Sequence, residues 1–164
     1  MFIVKLVASI FVLCSGVGFG FYSSFKLSDE ENIVAAGISM LEGISSQIRY
    51  SAAPCDEIIR HLAKDKSIAD KLMFLTECSA LLEHGVSYPR AIEESLKDDK
   101  HHDSFIMLSE LGASDADHSL GVISIMSEKL KTELADTREK KNKYGKMYKT
   151  LGALGGAAVV IFIW

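Results

Sequence analysis

Cysteine and proline are scarce in this chain of 164 residues, which contains three of the first and two of the second. Cys14, Cys55 and Cys78 are an odd number without a C-x-x-C spacing, which argues against a disulfide framework and against a zinc site. No stretch alternates apolar and polar residues with a period of two over the length of a strand. We therefore predict an all-α chain with reduced, buried thiols.

Recognisable catalytic motifs are also lacking. The sequence has no phosphate-binding glycine loop, no nucleophile elbow and no H-E-x-x-H pattern. Residues 98–103, DDKHHD, are metal-ligand types, but neighbours on one short turn diverge and Lys100 places a positive charge among them. His61, His84 and His118 stand singly on predicted helices. We expect a solvated loop and surface or partly packed histidines, and hence a protein that is not an enzyme and has no catalytic residue, cofactor or metal.

A basic face large enough for nucleic acid is absent as well. The net charge of −4 combines an acidic middle with a basic approach to the C-terminus. Nucleic acid is therefore excluded from the predicted partners.

Two long uncharged runs are present, one at each end. Residues 6–25 lie between Lys5 and Lys26 without a charge, which is long enough to span a bilayer. A cleaved signal peptide is the competing interpretation, because Lys5 and the apolar residues 6–13 have the required order. We prefer a retained transmembrane helix over residues 1–26.

The second run, residues 150–164, follows six basic residues: Arg138, Lys140, Lys141, Lys143, Lys146 and Lys149. This is a stop-transfer pattern, which predicts a basic stalk and a transmembrane helix over residues 141–164. Fifteen residues at ~1.5 Å each span about 22 Å, less than the ~30 Å hydrocarbon core, so Tyr148, Lys149 and the stem of Lys146 are expected at the interface. The basic excess predicts a cytoplasmic middle domain, with both termini on the opposite side.

Residues 27–140 are predicted to form a cytoplasmic helical bundle of about five to six helices, the last of which continues into the membrane. Ser28 and Glu31 have the spacing of a capping box. The helix after them has an apolar stripe at steps of three and four and ends before Pro54: Ile33, Gly37, Leu41, Ile44 and Ile48.

Capping residues predict the bounds of the later helices. Ser67 is expected to cap a third cytoplasmic helix that Gly85 closes, and Ser87 to begin a fourth. Asp103 is expected to cap a fifth helix, which Gly112 ends.

Each membrane segment contains two glycines one turn apart, Gly16 with Gly20 and Gly152 with Gly156. Small residues at this spacing let helix backbones approach closely in lipid. We predict that these glycines pack the two helices against each other or against another copy of the chain.

The run KYGKMYKTLGALGG at residues 143–156 resembles the K-Y-x-K-M-Y-K-[ST]-L-G-x-L-G-G signature that ends stage III sporulation protein AB. Further positions are similar to that family: Gln47, Ile48, Tyr50 and Pro54, the segment IEESLK at residues 92–97, and Leu111, Gly112 and Asp115. Ile92 departs from the family by replacing an aromatic residue.

The family is a small membrane component of the channel that endospore-forming bacteria build between mother cell and forespore. The resemblance implies a bundle like the cytoplasmic domain of type II secretion and type IV pilus platform proteins. It also implies a scaffold in the mother-cell membrane facing the forespore that couples a secretion-type ATPase to membrane rings. The partners implied by the resemblance are other channel proteins and this ATPase. The uncharged runs add membrane lipid as a predicted partner, and the glycine pairs allow a homo-oligomer. The alternatives are a membrane-anchored helical signalling protein and an extracytoplasmic binding module.

Overall fold

The computed structural model describes residues 2–51, 53–112 and 115–163, and within residues 2–24 and 145–163 it describes only some side chains. Over these ranges the chain is helical and has no strand, so the prediction of an all-α chain is confirmed. The helices are α1 Phe2–Ser51, α2 Cys55–Leu62, α3 Lys66–Ala69, α4 Met73–Glu83, α5 Tyr88–Leu96, α6 His102–Phe105, a 3-10 helix Ile106–Glu110, and α7 Ala116–Ile163.

The chain divides into two compact units. The terminal unit contains the described residues of Met1–Glu31 and Ala135–Trp164, and the core unit is Asn32–Leu134. Helices α1 and α7 contribute residues to both units, whereas α2 to α6 belong to the core unit alone.

A single apolar cluster holds the core unit together. Helix α4 packs against α2, α3 and α5, and the 3-10 helix packs against α5 and α6. The rings of Phe74 and Phe105 lie 5.3 Å apart between centroids, and both side chains are almost completely buried. Gly37 of α1 lies against the Phe105 ring and against Leu130 of α7, so that three helices meet where α1 lacks a side chain.

The predicted helix start at Ser28 is wrong, because α1 runs without interruption from Phe2 to Ser51. No proline interrupts this stretch, and the carboxylate of Glu31 accepts hydrogen bonds from Arg138 and Lys141 of α7 instead of closing a capping box. The Glu31 carboxylate, which the local pattern assigned to a helix cap, therefore binds side chains that are distant in the sequence.

The third predicted helix is split into α3 and α4 in the structure. Asp65, and not Ser67, caps α3: its carboxylate accepts hydrogen bonds from the backbone N–H of Ser67 at 2.9 Å and from the Ser67 hydroxyl at 2.7 Å. Leu72 then leaves the helical conformation, with φ −113° and ψ 75°, and its side chain is buried. Gly85 follows α4 with φ +81°, as expected of a closing glycine.

The fifth predicted helix is also divided, into α6 and the 3-10 helix. Asp103 lies inside α6 and does not cap it, and no side chain accepts a capping hydrogen bond at the start of α6. In the turn before the helix, the carboxylate of Asp99 accepts the backbone N–H of His101 at 2.7 Å. Gly112 ends this region with φ +81°, in agreement with the prediction. As a result of these two divisions, the described residues form seven α-helices and one 3-10 helix, where the sequence suggested about five to six helices.

Candidate functional site

The basic residues of α7 from Arg138 to Lys143 are the first candidate, and the structure separates them into two groups. Arg138 and Lys141 belong to the first, and both bind Glu31 of α1. The Arg138 Nε atom lies 2.9 Å from Glu31 Oε1, and the Lys141 Nζ atom lies 2.6 Å from Glu31 Oε2. One carboxylate thus bridges two cations that are one helical turn apart, and it joins the two helices of the terminal unit.

This bridge shifts the titration of Glu31. Hydrogen bonds from Lys141 and then from Arg138 hold the pKa of the Glu31 carboxyl below its ordinary value of 4.5, against a smaller opposing effect of burial. Glu31 is therefore charged at neutral pH. Part of the positive charge that the sequence assigned to the membrane surface is neutralised inside the terminal unit.

Lys140 and Lys143 form the second group, and their side chains are exposed. The Lys143 ammonium lies 5.6 Å from the centroid of the Tyr144 ring, a distance suited to a cation–π contact. These two lysines remain available to anionic groups outside the protein.

The remaining predicted site residues have side chains or surroundings outside the described part of the chain. They are Gly16, Gly20, Gly152, Gly156, Lys146, Tyr148 and Lys149. The predicted glycine packing and interface positions stay predictions. Among the residues that the structure describes, none of the helices has the length and apolar character needed to cross a membrane.

The loop at residues 98–103 is tied to α7 by contacts within the core unit. The His101 Nδ1 atom lies 3.7 Å from Glu133 Oε1, and the Ser104 hydroxyl donates to Glu133 Oε2 at 3.1 Å. Lys129 donates to the backbone carbonyl of Asp103 at 2.6 Å. No group of three or more histidine, cysteine, aspartate or glutamate side chains suited to a metal ion occurs within the described ranges. These contacts give the loop a role in fixing the chain to α7.

A groove of about 650 Å³ lies in the core unit beside Pro54 and Pro89, and sequence reasoning did not find it. Its polar groups include Arg60, which donates to the Leu82 carbonyl at 3.2 Å and lies 3.6 Å from Asp56. The Arg60 Nε atom is buried and has no hydrogen-bond partner within the described ranges.

Two weak acids of this groove stay protonated at neutral pH. The Tyr88 hydroxyl donates to the Leu108 carbonyl at 2.9 Å, and burial raises the pKa of Tyr88 well above its usual range. Burial likewise raises the pKa of the Cys55 thiol. Neither group is therefore activated as a nucleophile by a lowered pKa.

A second groove of about 370 Å³ lies between α1 and α7, also within the core unit. We call it the serine groove because Ser45 and Ser46 of α1 and Ser124 and Ser127 of α7 line it. Its charged residues are two acids and two bases: Glu42, Arg49, Glu128 and Lys131. The α1 side could have been found in the sequence, since a polar or charged residue recurs at steps of three and four from Ser39 through Glu42 and Ser46 to Arg49.

A family model described as stage III sporulation protein AB matches residues 5–164. No curated protein and no solved structure matches the chain.

Proposed function

Because the chain belongs to the stage III sporulation protein AB family, and so has a role in sporulation, we propose that it is a non-enzymatic scaffold in the mother-cell membrane. In this proposal its core unit is cytoplasmic and couples a secretion-type ATPase to membrane rings of the channel between mother cell and forespore. Both ends of the chain are anchored in the bilayer, and its partners are the other channel proteins and lipid.

The observation that carries the proposal is the arrangement of charge along α7. The basic residues from Arg138 to Lys149 lead, within one helix, into the uncharged residues 150–163. A helix that enters a bilayer keeps its basic residues on the cytoplasmic side. The exposed side chains of Lys140 and Lys143 can then reach anionic headgroups, each at a gain of about 1 kcal/mol near the surface.

The Glu31 bridge supports the same arrangement from α1. It joins α1 and α7 next to the two uncharged runs in sequence. A bridging carboxylate restricts how two helices slide past each other, because both cations would have to change partners together. In this proposal the bridge holds the two membrane segments together where they leave the bilayer.

The charge of the core unit suits a cytoplasmic docking domain. Residues 32–134 contain seventeen acidic and ten basic residues, a formal net charge of −7. An acidic domain is not attracted to the anionic inner surface of the membrane, so its faces stay available to protein partners.

The test is accessibility of single cysteines in intact cells that produce the full chain without its native cysteines. Probes are placed at Lys66, Asp98 and Trp164, of which the first two have exposed side chains in the core unit. With an impermeant thiol reagent we expect labelling at position 164 alone, and labelling at all three positions once the cells are permeabilised.

Two results would overturn the proposal. Labelling at Lys66 or Asp98 in intact cells would place the core unit outside the cytoplasm, in favour of an extracytoplasmic binding module. Protection of all three positions until the cells are permeabilised would mean that the C-terminal helix does not cross the membrane.

A further inference from the structure

We propose that a groove along α7 binds the headgroup of a phospholipid that carries both a phosphate and a primary ammonium group. The groove has a volume of about 220 Å³ and lies in the terminal unit. We call it the α7 groove, and it is lined by two acids, two bases and one tyrosine: Asp136, Glu139, Lys140, Lys143 and Tyr144. The inference rests on the proposed function, which places this part of α7 beside a bilayer.

The α7 groove lies on the face of α7 that is turned away from α1. In a helix with 3.6 residues per turn, its five lining residues fall within an arc of about 140°. Arg138 and Lys141, which bind Glu31 of α1, point about 160° away from the middle of that arc. The Glu31 bridge therefore leaves the α7 groove open to a ligand.

The four charged side chains of the α7 groove are exposed. Each acid lies four residues before one of the lysines, a spacing that permits only weak ion pairs on an exposed helix. Among the described residues, no ion pair joins Asp136 or Glu139 to either lysine, and the ion pairs on this part of α7 are those with Glu31. Both carboxylates and both ammonium groups can therefore bind groups of opposite charge outside the protein.

The acids and the bases of the α7 groove occupy different levels along the helix. At ~1.5 Å per residue, the lysine pair lies about 6 Å closer to the uncharged residues 150–163 than the acid pair does. A hydrocarbon core of ~30 Å takes about 20 residues, which sets its cytoplasmic edge near residue 145. Lys143 then lies about 3 Å and Lys140 about 7.5 Å outside this edge, within reach of headgroup phosphates, and the acids lie farther out.

A headgroup that ends in a primary ammonium group matches this order of charges. Its phosphate is attached to the glycerol and can bind the lysine pair, while the ammonium group, two carbons farther out, can donate N–H groups to Asp136 and Glu139. An anionic headgroup without an amine would bind the lysines but would lie beside two unpaired carboxylates. A trimethylated ammonium group keeps the positive charge but has no N–H to donate. Tyr144 suits this position, because tyrosine is enriched at the level of the headgroups.

The test is native mass spectrometry of the purified full chain in detergent with an equimolar mixture of three lipids. Phosphatidylethanolamine, phosphatidylglycerol and phosphatidylcholine with identical acyl chains differ in the headgroup alone. We expect phosphatidylethanolamine to be retained about fivefold more than either of the others. Asp136→Asn combined with Glu139→Gln should remove this preference and raise the share of phosphatidylglycerol. Lys140→Gln combined with Lys143→Gln should lower the retention of both lipids.

The matched control is Glu93→Gln combined with Asp98→Asn, which makes the same charge change at two exposed positions of the core unit. It should keep the fivefold preference. The proposal fails if the natural chain retains the three lipids equally, or if the control loses the preference as the Asp136 and Glu139 variant does. It also fails if soluble phosphoethanolamine at the same concentration displaces the lipid, because the headgroup alone would then be the ligand.

This proposal and the proposed function can fail separately. Equal retention of the three lipids would overturn the headgroup site and leave the membrane scaffold untouched. Labelling of Lys66 or Asp98 in intact cells would overturn the cytoplasmic scaffold, whichever lipid the purified chain retains.

Discussion

Replacing Gly37 by alanine tests the packing that joins α1, α6 and α7 in the core unit. A methyl group at this position would lie 2.7 Å from Cζ and 2.8 Å from Cε1 of Phe105, and 3.3 Å from Cδ1 of Leu130. Compared with a contact of 3.4 Å, the shortest distance is 0.7 Å too small. The side chains around position 37 must therefore shift to make room for the methyl group.

The Phe105 ring has little room to move away. Its side chain is 1% exposed, and the Phe74 ring lies 5.3 Å from it between centroids. Overpacking of a close-packed core costs about 1–3 kcal/mol, and this rigid contact belongs near the upper end. Alanine regains about 1 kcal/mol of helix propensity over glycine. We expect Gly37→Ala to lower the free energy of unfolding by about 2 kcal/mol.

Gly121→Ala is the matched control, because Gly121 lies in α7, is exposed and has nothing within 4 Å of an added methyl group. It should raise the free energy of unfolding by about 0.5–1 kcal/mol. Both variants are compared with the natural chain by urea denaturation followed by circular dichroism. If Gly37→Ala is as stable as Gly121→Ala, then α1 does not meet Phe105 in the way described, and the reasoning is refuted.

Two further predictions concern titratable groups. Because the pKa of Glu31 is lower in the folded chain than in the unfolded chain, its contacts with Arg138 and Lys141 stabilise the fold fully at any pH above the unfolded-state pKa. This stabilisation is lost as the pH falls through the folded-state pKa, which lies below 4.5. The difference in unfolding free energy between the natural chain and Glu31→Gln should therefore be constant near neutral pH and shrink in acid; a difference that persists in acid would contradict the bridge. Burial raises the pKa of Cys78 to about 11 from an ordinary value of 9.0, which leaves roughly a hundredfold less thiolate at mildly alkaline pH. A variant that retains Cys78 as its only cysteine should react with a thiol reagent at least a hundredfold more slowly in the folded state than in urea. Equal rates would show that the face of α4 that carries Cys78 is open to solvent.

The helical architecture could be predicted to a large extent, and the errors have a common cause. Gly85 and Gly112 end helices as expected, because a left-handed backbone is a local requirement that glycine meets most easily. Ser28 and Ser67 were wrong as caps, since Glu31 binds α7 and Asp65 competes for the backbone and hydroxyl groups of Ser67. A capping pattern indicates which side-chain hydrogen bonds are possible at a helix end. The packing of the surrounding residues determines which of these hydrogen bonds form.

The sequence by itself determined that the chain is helical, that its basic and uncharged segments adjoin, and that it is similar to a sporulation protein family. These properties depend on residues that are close together in the chain, or on a continuous run such as residues 143–156. Only the tertiary structure decided that Glu31 joins Arg138 and Lys141, which are 107 and 110 residues away. It alone decided that α1 and α7 form the serine groove. Contacts over such separations depend on how α1 and α7 pack around the core, and no local pattern encodes that packing.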